Sequence, residues 1–434
     1  MRNIEASVEN YLEAMKEQGT AVAEVSGEHE PSYEAARIIK QYDGQCIVVF
    51  NVRGYNWPFV SNLIANREVL YRALGASSDR EAYTVLAKAS SSPAQSFREE
   101  VFSEYFEHVG EDLSLLPALR FYDRDGGLYI TSSMFVACRE GVCNASIHRI
   151  MVSDDKSYAA VRVVPRHLYR MLREAGEKGL PVTVVIGIDP RVLLAASTSP
   201  PYGVFELGIA ASMLGGLAVC RTPRYNLPVP CGASMIVEAR LGPDRAREGP
   251  FVDLLQLYDD VRQEPVLHVE GVYVNKMYKP YIHTILPGGY EHMILMGFPR
   301  EAAIYEAVSR VVAHVVKVRL TPAGGMWLHA VVSIEKQHDG DGKSAGLAAL
   351  AAHPSLKHVV VVDGDIDPDD PRQVEWAIAT RLQADRGLVV IPAARGSTLD
   401  PSARDGLTYK LLVDATIPIH ERGKYVRPTI GGRG

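Results

Sequence analysis

Two acids flank a rigid corner in the segment REGPFVD, where Glu248 and Asp253 lie five residues apart around a Gly-Pro pair. Gly-Pro favours a turn, and Phe251 and Val252 would bring apolar surface close to both carboxylates. Apolar surroundings raise the pKa of a carboxyl group and make it a usable proton donor near neutrality, whereas a neighbouring arginine lowers it. The segment therefore predicts either a proton-transferring acid pair or a tight turn with solvated acids.

A possible arginine partner lies upstream, in CNASIHRIMV, where Asn144 and Arg149 are five residues apart in a segment that otherwise reads as strand. An odd offset in a regular strand sends two side chains to opposite faces. Both residues can face one site only if the start of the segment is irregular. Because Arg149 precedes an apolar run, we expect it to be partly buried and to need an anionic partner, either in a functional site or in a structural salt bridge.

A third group of polar residues surrounds predicted helix starts. Arg166 and His167 follow a strand and open a helix, an arrangement that suits phosphate binding. Asn144, His167 and a carboxylate would form a hard nitrogen and oxygen site suited to Mn²⁺ or Mg²⁺. Glu206 opens a helical run after the small-residue loop AASTSPPYG, where the plain alternative is an acid favoured by the helix dipole.

Two further motifs lie near the C-terminus. The acids of VVVVDGDIDPDD are either a divalent-metal loop or caps for the helix that starts at Pro371, and the incomplete calcium-ligand pattern favours caps. In DGDGKSAG, Lys343 stands at a helix start without the spacing of a Walker motif. It could still reach a phosphate.

The elements that must position these residues change character along the chain. Residues 4–18 and 66–75 read as helices and 45–52 as a strand, so the first third is predicted to be an α/β domain. From about residue 117, short β-rich runs are interrupted by helices only at 167–178 and roughly 203–215, which predicts a mainly antiparallel sheet or barrel. From about residue 297, alternation returns and predicts a second α/β domain with partly parallel strands.

Composition excludes several classes of protein. The chain has 434 residues, 47% hydrophobic and 23% charged, which is ordinary globular composition. A net charge of -6 argues against general nucleic-acid binding. No signal peptide or run of membrane-spanning length is found, so we expect a soluble, cytoplasmic protein. The five cysteines lack CxxC spacing and are predicted to be buried free thiols in a reducing compartment.

An ordered set of motifs resembles the UbiD-type decarboxylases, which use prenylated flavin mononucleotide (prenylated FMN). The set runs through nearly the whole chain and includes NLIANREVLYRALG, NASIHR, PPYGVFELGIAASMLGG, LPVPCGASMIVEARLGPDRAREGPFVD, GFPREAAIYEAV and VVVVDGDIDPDDPRQVEWAIATR. The resemblance implies a fold of class α/β plus β in three domains. These are an N-terminal α/β domain at 1–116, a central prenylated-FMN-binding split β-barrel at 117–296 and a C-terminal α/β domain at 297–434.

The same resemblance implies a set of site residues in this chain. A manganese or magnesium ion that bridges the flavin phosphate would bind Asn144, His167 and Glu206, and a potassium ion would bind Ala195, Ala196, Thr198 and Glu206. The implied flavin contacts are Ser146, Ile147, Arg149, Arg166, Ser197 and Lys343. The implied catalytic network is Glu248, Arg149 and Asp253, with Glu248 as the acid that returns a proton to the substrate carbon.

The segment HTILPGGYEHMILMGFPRE and the compact length resemble the archaeal branch that decarboxylates trans-anhydromevalonate 5-phosphate, on a modified mevalonate route to isopentenyl phosphate. Such a substrate needs a cationic subsite, for which Lys276, His283, His292 and Arg300 are candidates by sequence proximity, unless they are surface or structural residues. The alternatives are an aromatic or polyprenyl-hydroxybenzoic acid in an apolar pocket, or a non-catalytic flavin-binding subunit. The family also implies a flavin prenyltransferase that supplies the cofactor, and assembly as a homo-oligomer.

Overall fold

The structure, a computed structural model, describes residues 3–428. Its α-helices are α1 Val8–Glu17, α2 Glu34–Tyr42, α3 Arg67–Leu74, α4 Asp79–Ser91, α5 Phe102–Tyr105, α6 His167–Ala175, α7 Pro190–Ala196, α8 Glu206–Leu214, α9 Tyr290–Ser309, α10 Asp341–Ala352, α11 Pro371–Arg381 and α12 Ala384–Gly387. Its strands are β1 Val22–His29, β2 Ile47–Val52, β3 Phe59–Ser61, β4 Arg98–Glu100, β5 Phe106–Gly110, β6 Leu128–Ile130, β7 Ser133–Arg139, β8 Val142–Ile147, β9 Ile150–Val152, β10 Ala159–Val161, β11 Leu180–Ile186, β12 Ala218–Arg221, β13 Pro228–Pro230, β14 Met235–Glu248, β15 Phe251–Val252, β16 Tyr258–Asp259, β17 Arg262–Asn275, β18 Ile282–His283, β19 Val315–Leu320, β20 His329–Ile334, β21 His358–Asp363, β22 Leu388–Arg395 and β23 Leu407–Ala415. The chain divides into two compact units, one ending at Pro299 and the other beginning at Arg300.

The first unit begins with a small mixed sheet of order β1-β2-β3-β18. The predicted helix at 4–18 starts later, because the Ser7 hydroxyl accepts the amide hydrogen of Asn10 and caps α1 at Val8. The predicted helix end at Gly75 is confirmed: this residue caps α3 in the left-handed conformation, with φ of 64°.

The larger sheet of the first unit has nine strands, in the order β6-β9-β10-β17-β14-β11-β7-β8, with β5 paired to β17. All its pairings are antiparallel, as the β-rich texture predicts. Its long strands β14 and β17 form the central pair. Helices α7 and α8 pack against each other and against β8, which is the strand that carries the NASI part of the motif. Helix α7 was not predicted, because every residue of PRVLLAA except Arg191 is apolar and buried, which leaves no amphipathic pattern.

The second unit contains a five-stranded mixed sheet of order β19-β20-β21-β23-β22. Strands β20, β21 and β23 are parallel, and the two outer pairings are antiparallel, which confirms the predicted partly parallel sheet. The acid-rich loop after β21 is structural. Asp370 caps α11 by accepting the Arg372 amide hydrogen, and Asp363 and Asp365 pair with Arg381.

The prediction of free cysteines is wrong for four of the five. Cys138 and Cys143 form a disulfide, and so do Cys220 and Cys231. The reason is strand pairing: β7 and β8 form a hairpin in which Cys138 lies directly opposite Cys143, and β12 and β13 bring the other two together. Cys46 is free and partly exposed. Among the described residues, no helix is both long and apolar enough to cross a membrane.

Candidate active site

Arg149 stands at a break in the large sheet. Strand β8 ends at Ile147 and β9 begins at Ile150, so His148 and Arg149 lie outside regular strand geometry. An irregular start of the segment was the condition for Asn144 and Arg149 to face one site, but the start is regular, since β8 is paired in register with β7 throughout. The break instead frees Arg149 from strict face alternation.

The Arg149 guanidinium joins the two acids of REGPFVD. Its Nε and Nη2 donate to the two carboxylate oxygens of Glu248 at 2.8 and 3.0 Å, and Nη1 donates to Asp253 at 3.0 Å. The Arg149 side chain is 9% exposed and that of Glu248 is fully buried. Burial opposes ionisation of Arg149, but the charges of Glu248 and Asp253 outweigh it and hold its pKa above the usual value. The guanidinium is therefore permanently charged and held from two sides.

One residue of this cluster, Asp259, was not predicted, and Phe251, expected close to the carboxylates, also contacts the arginine. Asp259 accepts a hydrogen bond from Arg149 Nη2 at 3.1 Å. The Phe251 ring lies against the guanidinium, 4.3 Å from Cζ to the ring centroid, which adds a cation–π contact. The only sequence signal for Asp259 is a second acid pair, YDD, shortly after Asp253, and an acid in a β-rich segment is usually a solvated turn residue.

The corner that presents the acids rests on glycine. Gly126 donates its backbone N–H to the carbonyl of Pro250 at 2.9 Å, and the Tyr129 hydroxyl donates to the same oxygen at 3.1 Å. A Cβ on Gly126 would meet the Gly249 carbonyl oxygen at 2.0 Å, so no other residue fits without moving backbone. The two backbones set the position of Phe251 below Arg149.

A second polar cluster surrounds Glu206, at the first residue of α8. Its carboxylate accepts hydrogen bonds from the Asn144 side-chain amide at 2.8 Å and from the Ala145 backbone N–H at 2.7 Å. Burial raises the pKa of Glu206 to about 7, although both hydrogen bonds favour the ionised form. A cation at this point would supply the charge that a buried carboxylate lacks.

Asn144 also has an acceptor oxygen to offer. The Ser146 hydroxyl lies 3.0 Å from Asn144 Oδ1 and 2.9 Å from His148 Nε2. His148 Nδ1 faces the Arg162 carbonyl at 3.0 Å, and burial lowers its pKa to about 4, so this ring is neutral with its hydrogen on Nδ1 and accepts at Nε2. One hydroxyl hydrogen cannot serve both acceptors. When Ser146 donates to His148, Asn144 Oδ1 remains for a cation.

The remaining expected cofactor residues of the first unit are spread over neighbouring elements. His167 opens α6 with its ring edge-on to Tyr202, and burial, together with the nearby charges of Arg166 and Arg170, lowers its pKa towards the neutral form that a metal requires. Arg166 donates to the Ser199 hydroxyl at 2.8 Å, which ties the start of α6 to the loop between α7 and α8. The residues expected at the potassium site lie around this loop: Ala195 and Ala196 end α7, Thr198 follows in the loop, and Glu206 opens α8.

The donor set therefore fits a hard divalent ion: an amide oxygen, a neutral imidazole and a buried carboxylate. In the described part of the chain, no three His, Cys, Asp or Glu side chains converge on one point. The expected metal site would not form such a group, because beside Asn144 it contains only His167 and Glu206. Lys343 lies in the first turn of α10 in the second unit, so its contact with the cofactor stays a prediction.

The candidates for a substrate phosphate separate in the structure. His283 is fully buried between the Ser132 hydroxyl at 2.7 Å and Glu291 at 3.2 Å, which makes it a structural residue. Lys276 is exposed on the loop after β17. His292, in the first turn of α9, accepts the Gly288 backbone N–H at 3.1 Å. Its pKa is lowered, mainly by burial. The charges of Asp253 and Arg149 also act on this pKa, in opposite directions, so His292 lies within electrostatic range of both side chains. Arg300 lies in the second unit, with its guanidinium 5.9 Å from the Trp327 ring centroid.

Comparison with known proteins decides the family. Three domain models of 3-octaprenyl-4-hydroxybenzoate carboxy-lyase match in order: the N-terminal domain at residues 12–89, the Rift-related domain at 94–290 and the C-terminal domain at 293–415. The chain belongs to the UbiD family. The resemblance predicted from the order of motifs is thus confirmed, as are a three-domain UbiD architecture and a mixed α/β fold.

Among UbiD relatives, the anhydromevalonate phosphate decarboxylase of Aeropyrum pernix is 50% identical over 433 residues, covering 99% of this chain and 97% of the relative. The UbiD-class enzyme HmfF from Pelotomaculum thermopropionicum in complex with FMN has a TM-score of 0.91 at 35% identity, covering 98% and 97% of the two chains. An evolved dimeric form of HmfF in complex with prFMN has a TM-score of 0.88 at 33% identity, with the same coverage. The chain is therefore a member of a family of decarboxylases.

Proposed function

We propose that this protein decarboxylates trans-anhydromevalonate 5-phosphate, with prenylated FMN as cofactor, to give isopentenyl phosphate. The observation that carries the proposal is the buried Arg149 held between Glu248 and Asp253, at the end of the strand that bears Asn144 and Ser146. The substrate assignment is supported by five archaeal relatives described as anhydromevalonate phosphate decarboxylases, which are 41–50% identical to this chain.

The cofactor would lie along β8. Ser146, Ile147, Arg149, Arg166 and Ser197 would contact the flavin, with Lys343 on its phosphate. When bound, prenylated FMN supplies the electron sink that allows a carboxylate to leave as carbon dioxide. We propose that the nine-stranded sheet is the split β-barrel that holds it.

Asn144, His167 and Glu206 would bind Mn²⁺ (or Mg²⁺). Glu206 would also bind K⁺, together with backbone oxygens of Ala195, Ala196 and Thr198. A divalent ion against Glu206 would keep that carboxylate ionised and would neutralise the flavin phosphate.

The protein's own contribution is placement and a proton. Arg149 binds and orients the substrate carboxylate by charge-assisted hydrogen bonds. Glu248, buried and held by two bonds from Arg149, is placed to take up one proton from solvent in each turnover and to return it to the carbon that loses carbon dioxide. Asp253 balances the guanidinium from the other side. His292 is our candidate for the substrate phosphate, because its Nδ1 accepts the Gly288 N–H and its Nε2–H is left as a neutral donor.

Two partners follow from the proposal. A flavin prenyltransferase would have to supply the cofactor. A homo-oligomer is supported by an apolar surface at the edge of the second unit's sheet, where Val390 of β22 is 58% exposed and Tyr409 of β23 is 65% exposed.

The proposal is tested by co-expression with a flavin prenyltransferase, followed by assay of carbon dioxide release. We expect release from trans-anhydromevalonate 5-phosphate and none above background from a panel of aromatic and polyprenyl-hydroxybenzoic acids. Release only from the aromatic acids would overturn the substrate, and no release from any acid by flavin-loaded protein would favour a binding-only subunit.

The metal site has its own test in His167→Ala. We expect manganese retention to weaken by at least about tenfold, because the ion loses one of three protein ligands. Elemental analysis of the purified protein measures it. His268→Ala is the matched control, since His268 is half exposed on β17 beside Asp244. Equal manganese in wild type and His167→Ala would show that His167 is not a ligand.

A further inference from the structure

The hydrogens of Arg149 are almost all committed. A guanidinium carries five N–H groups. One on Nε and one on Nη2 point to Glu248, the second on Nη2 points to Asp259, and one on Nη1 points to Asp253. Within residues 3–428 the remaining Nη1 hydrogen meets no acceptor. Arg149 therefore offers a ligand one N–H group, on the side of the guanidinium that faces Asp253.

Asp259 determines which nitrogen of Arg149 has an N–H group to offer. If it were absent, Nη2 would also have a hydrogen to offer, and the guanidinium would be held only by Glu248 and Asp253. With Asp259 in place, three carboxylates fix the guanidinium from three directions. The Phe251 ring lies against the face of the guanidinium and limits movement towards that side.

Asp259 is itself firmly held. It lies on β16, directly opposite Phe251 of β15, and its side chain is 9% exposed. Arg262 Nη1 lies 2.6 Å from the same carboxylate oxygen that accepts from Arg149, and the Asp260 backbone N–H donates to the other oxygen at 3.0 Å. Arg262 in turn lies opposite Glu248 in the pairing of β14 with β17.

Arg262 also settles the charge of the cluster. Three carboxylates around one guanidinium leave an excess of two negative charges, and Arg262 reduces that excess to one. Burial raises the pKa of Asp259, but its hydrogen bond to Arg262 and the charges of Arg149 and Arg262 outweigh burial, so the net shift is downward. Asp259 stays ionised as a fixed acceptor.

We propose that Asp259, with Arg262 as its counter-ion, is a positioning residue for the decarboxylation: it orients Arg149 so that a single Nη1–H meets the substrate carboxylate. The inference rests on the proposed function. It goes beyond that function because it assigns the orientation of the arginine to a pair outside the Glu248–Arg149–Asp253 network.

The test compares Asp259→Ala, which removes the acceptor, with Asp259→Asn, which keeps an acceptor oxygen at the same distance. In flavin-loaded enzyme we expect Asp259→Ala to lower kcat about tenfold or more, because misplacement of a reacting group by about 1 Å costs up to 100-fold. KM should change less than kcat, and Asp259→Asn should recover most of the loss. Asp260→Ala, which removes an exposed neighbouring acid, is the matched control.

Arg262→Gln completes the experiment. If Arg262 acts through Asp259, Arg262→Gln should lower kcat in the wild-type background and should add little to Asp259→Ala. Fully additive effects, or an unchanged kcat in Asp259→Ala with normal flavin content, would overturn the proposal.

A crystal structure of Asp259→Ala gives a readout that needs no turnover. We expect the Arg149 guanidinium to be rotated or present in two orientations, with Glu248 and Asp253 in place. If wild-type protein decarboxylates no acid, the proposed function fails, yet this comparison still decides whether Asp259 orients Arg149. An Arg149 side chain in its wild-type position would overturn the inference in either case.

Discussion

Glu248→Gln is expected to lower kcat by about 10²–10⁴-fold while the protein keeps its flavin. The side chain is fully buried and bound by two hydrogen bonds from Arg149. Glutamine has the same shape and retains an oxygen acceptor for Arg149, but it has no titratable proton to return to the substrate carbon. Carbon dioxide release and flavin absorbance, measured on the same preparation, separate loss of chemistry from loss of cofactor.

A matched control for this change is Glu264→Gln. Glu264 is also buried and also pairs with an arginine of the same sheet, Arg162 at 2.6 Å. This variant should share any general cost of neutralising a buried acid and should retain turnover. Full activity in Glu248→Gln would show that another group supplies the proton.

Arg149→Met has the largest expected effect on stability as well as on turnover. It leaves the carboxylates of Glu248, Asp253 and Asp259 together without their shared cation. Removing one partner of a buried ion pair costs about 3–5 kcal/mol, because the remaining charge is desolvated and uncompensated. We expect a lower free energy of unfolding in denaturant titrations, together with loss of carbon dioxide release from the protein that remains folded.

Arg319→Met is a control that separates the loss of stability from the loss of turnover. Arg319 is 3% exposed in the second unit and pairs with the fully buried Glu301 and the partly exposed Asp369, so its removal also takes a cation from a buried carboxylate, that of Glu301. We expect a comparable loss of stability with turnover per folded molecule retained. If Arg149→Met were as stable as wild type, the three acids would become protonated at little cost. The hydrogen bonds of all three acids to Arg149 would then need another explanation.

Residue types and spacing were enough to predict several of the longer helices and the sheet type of each region. Gly75 ended a helix because only a residue that tolerates positive φ fits a left-handed cap. Among the acids after β21, Asp370 was correctly assigned to helix capping, since Pro371 marked the helix that it caps, whereas Asp363 and Asp365 pair with Arg381. Helix α9 shows where such signals fail: it begins at Tyr290 and continues through Pro299, a residue that usually ends a helix.

The site was predictable only in part, for physical reasons. Glu248 and Asp253 share a turn, but their partner Arg149 lies about a hundred residues away, and no local pattern reports such a contact. The motif resemblance supplied that pairing. Asp259 reaches Arg149 through the pairing of β15 with β16, and two-residue strands leave no detectable alternation in a sequence. The disulfides were missed for a similar reason, because cross-strand register decides them.

The bond between Cys138 and Cys143 closes the β7–β8 hairpin immediately before Asn144. Paired strands normally fray from their ends, and local fraying dominates amide hydrogen exchange. This covalent clasp lies beside the turn at Glu140 and Gly141 and reinforces the closed end of the hairpin, so the Asn144 amide should exchange more slowly when the disulfide is intact. The protein without its cofactor would then keep this end of the hairpin ordered, and a reducing agent alone would make it more mobile.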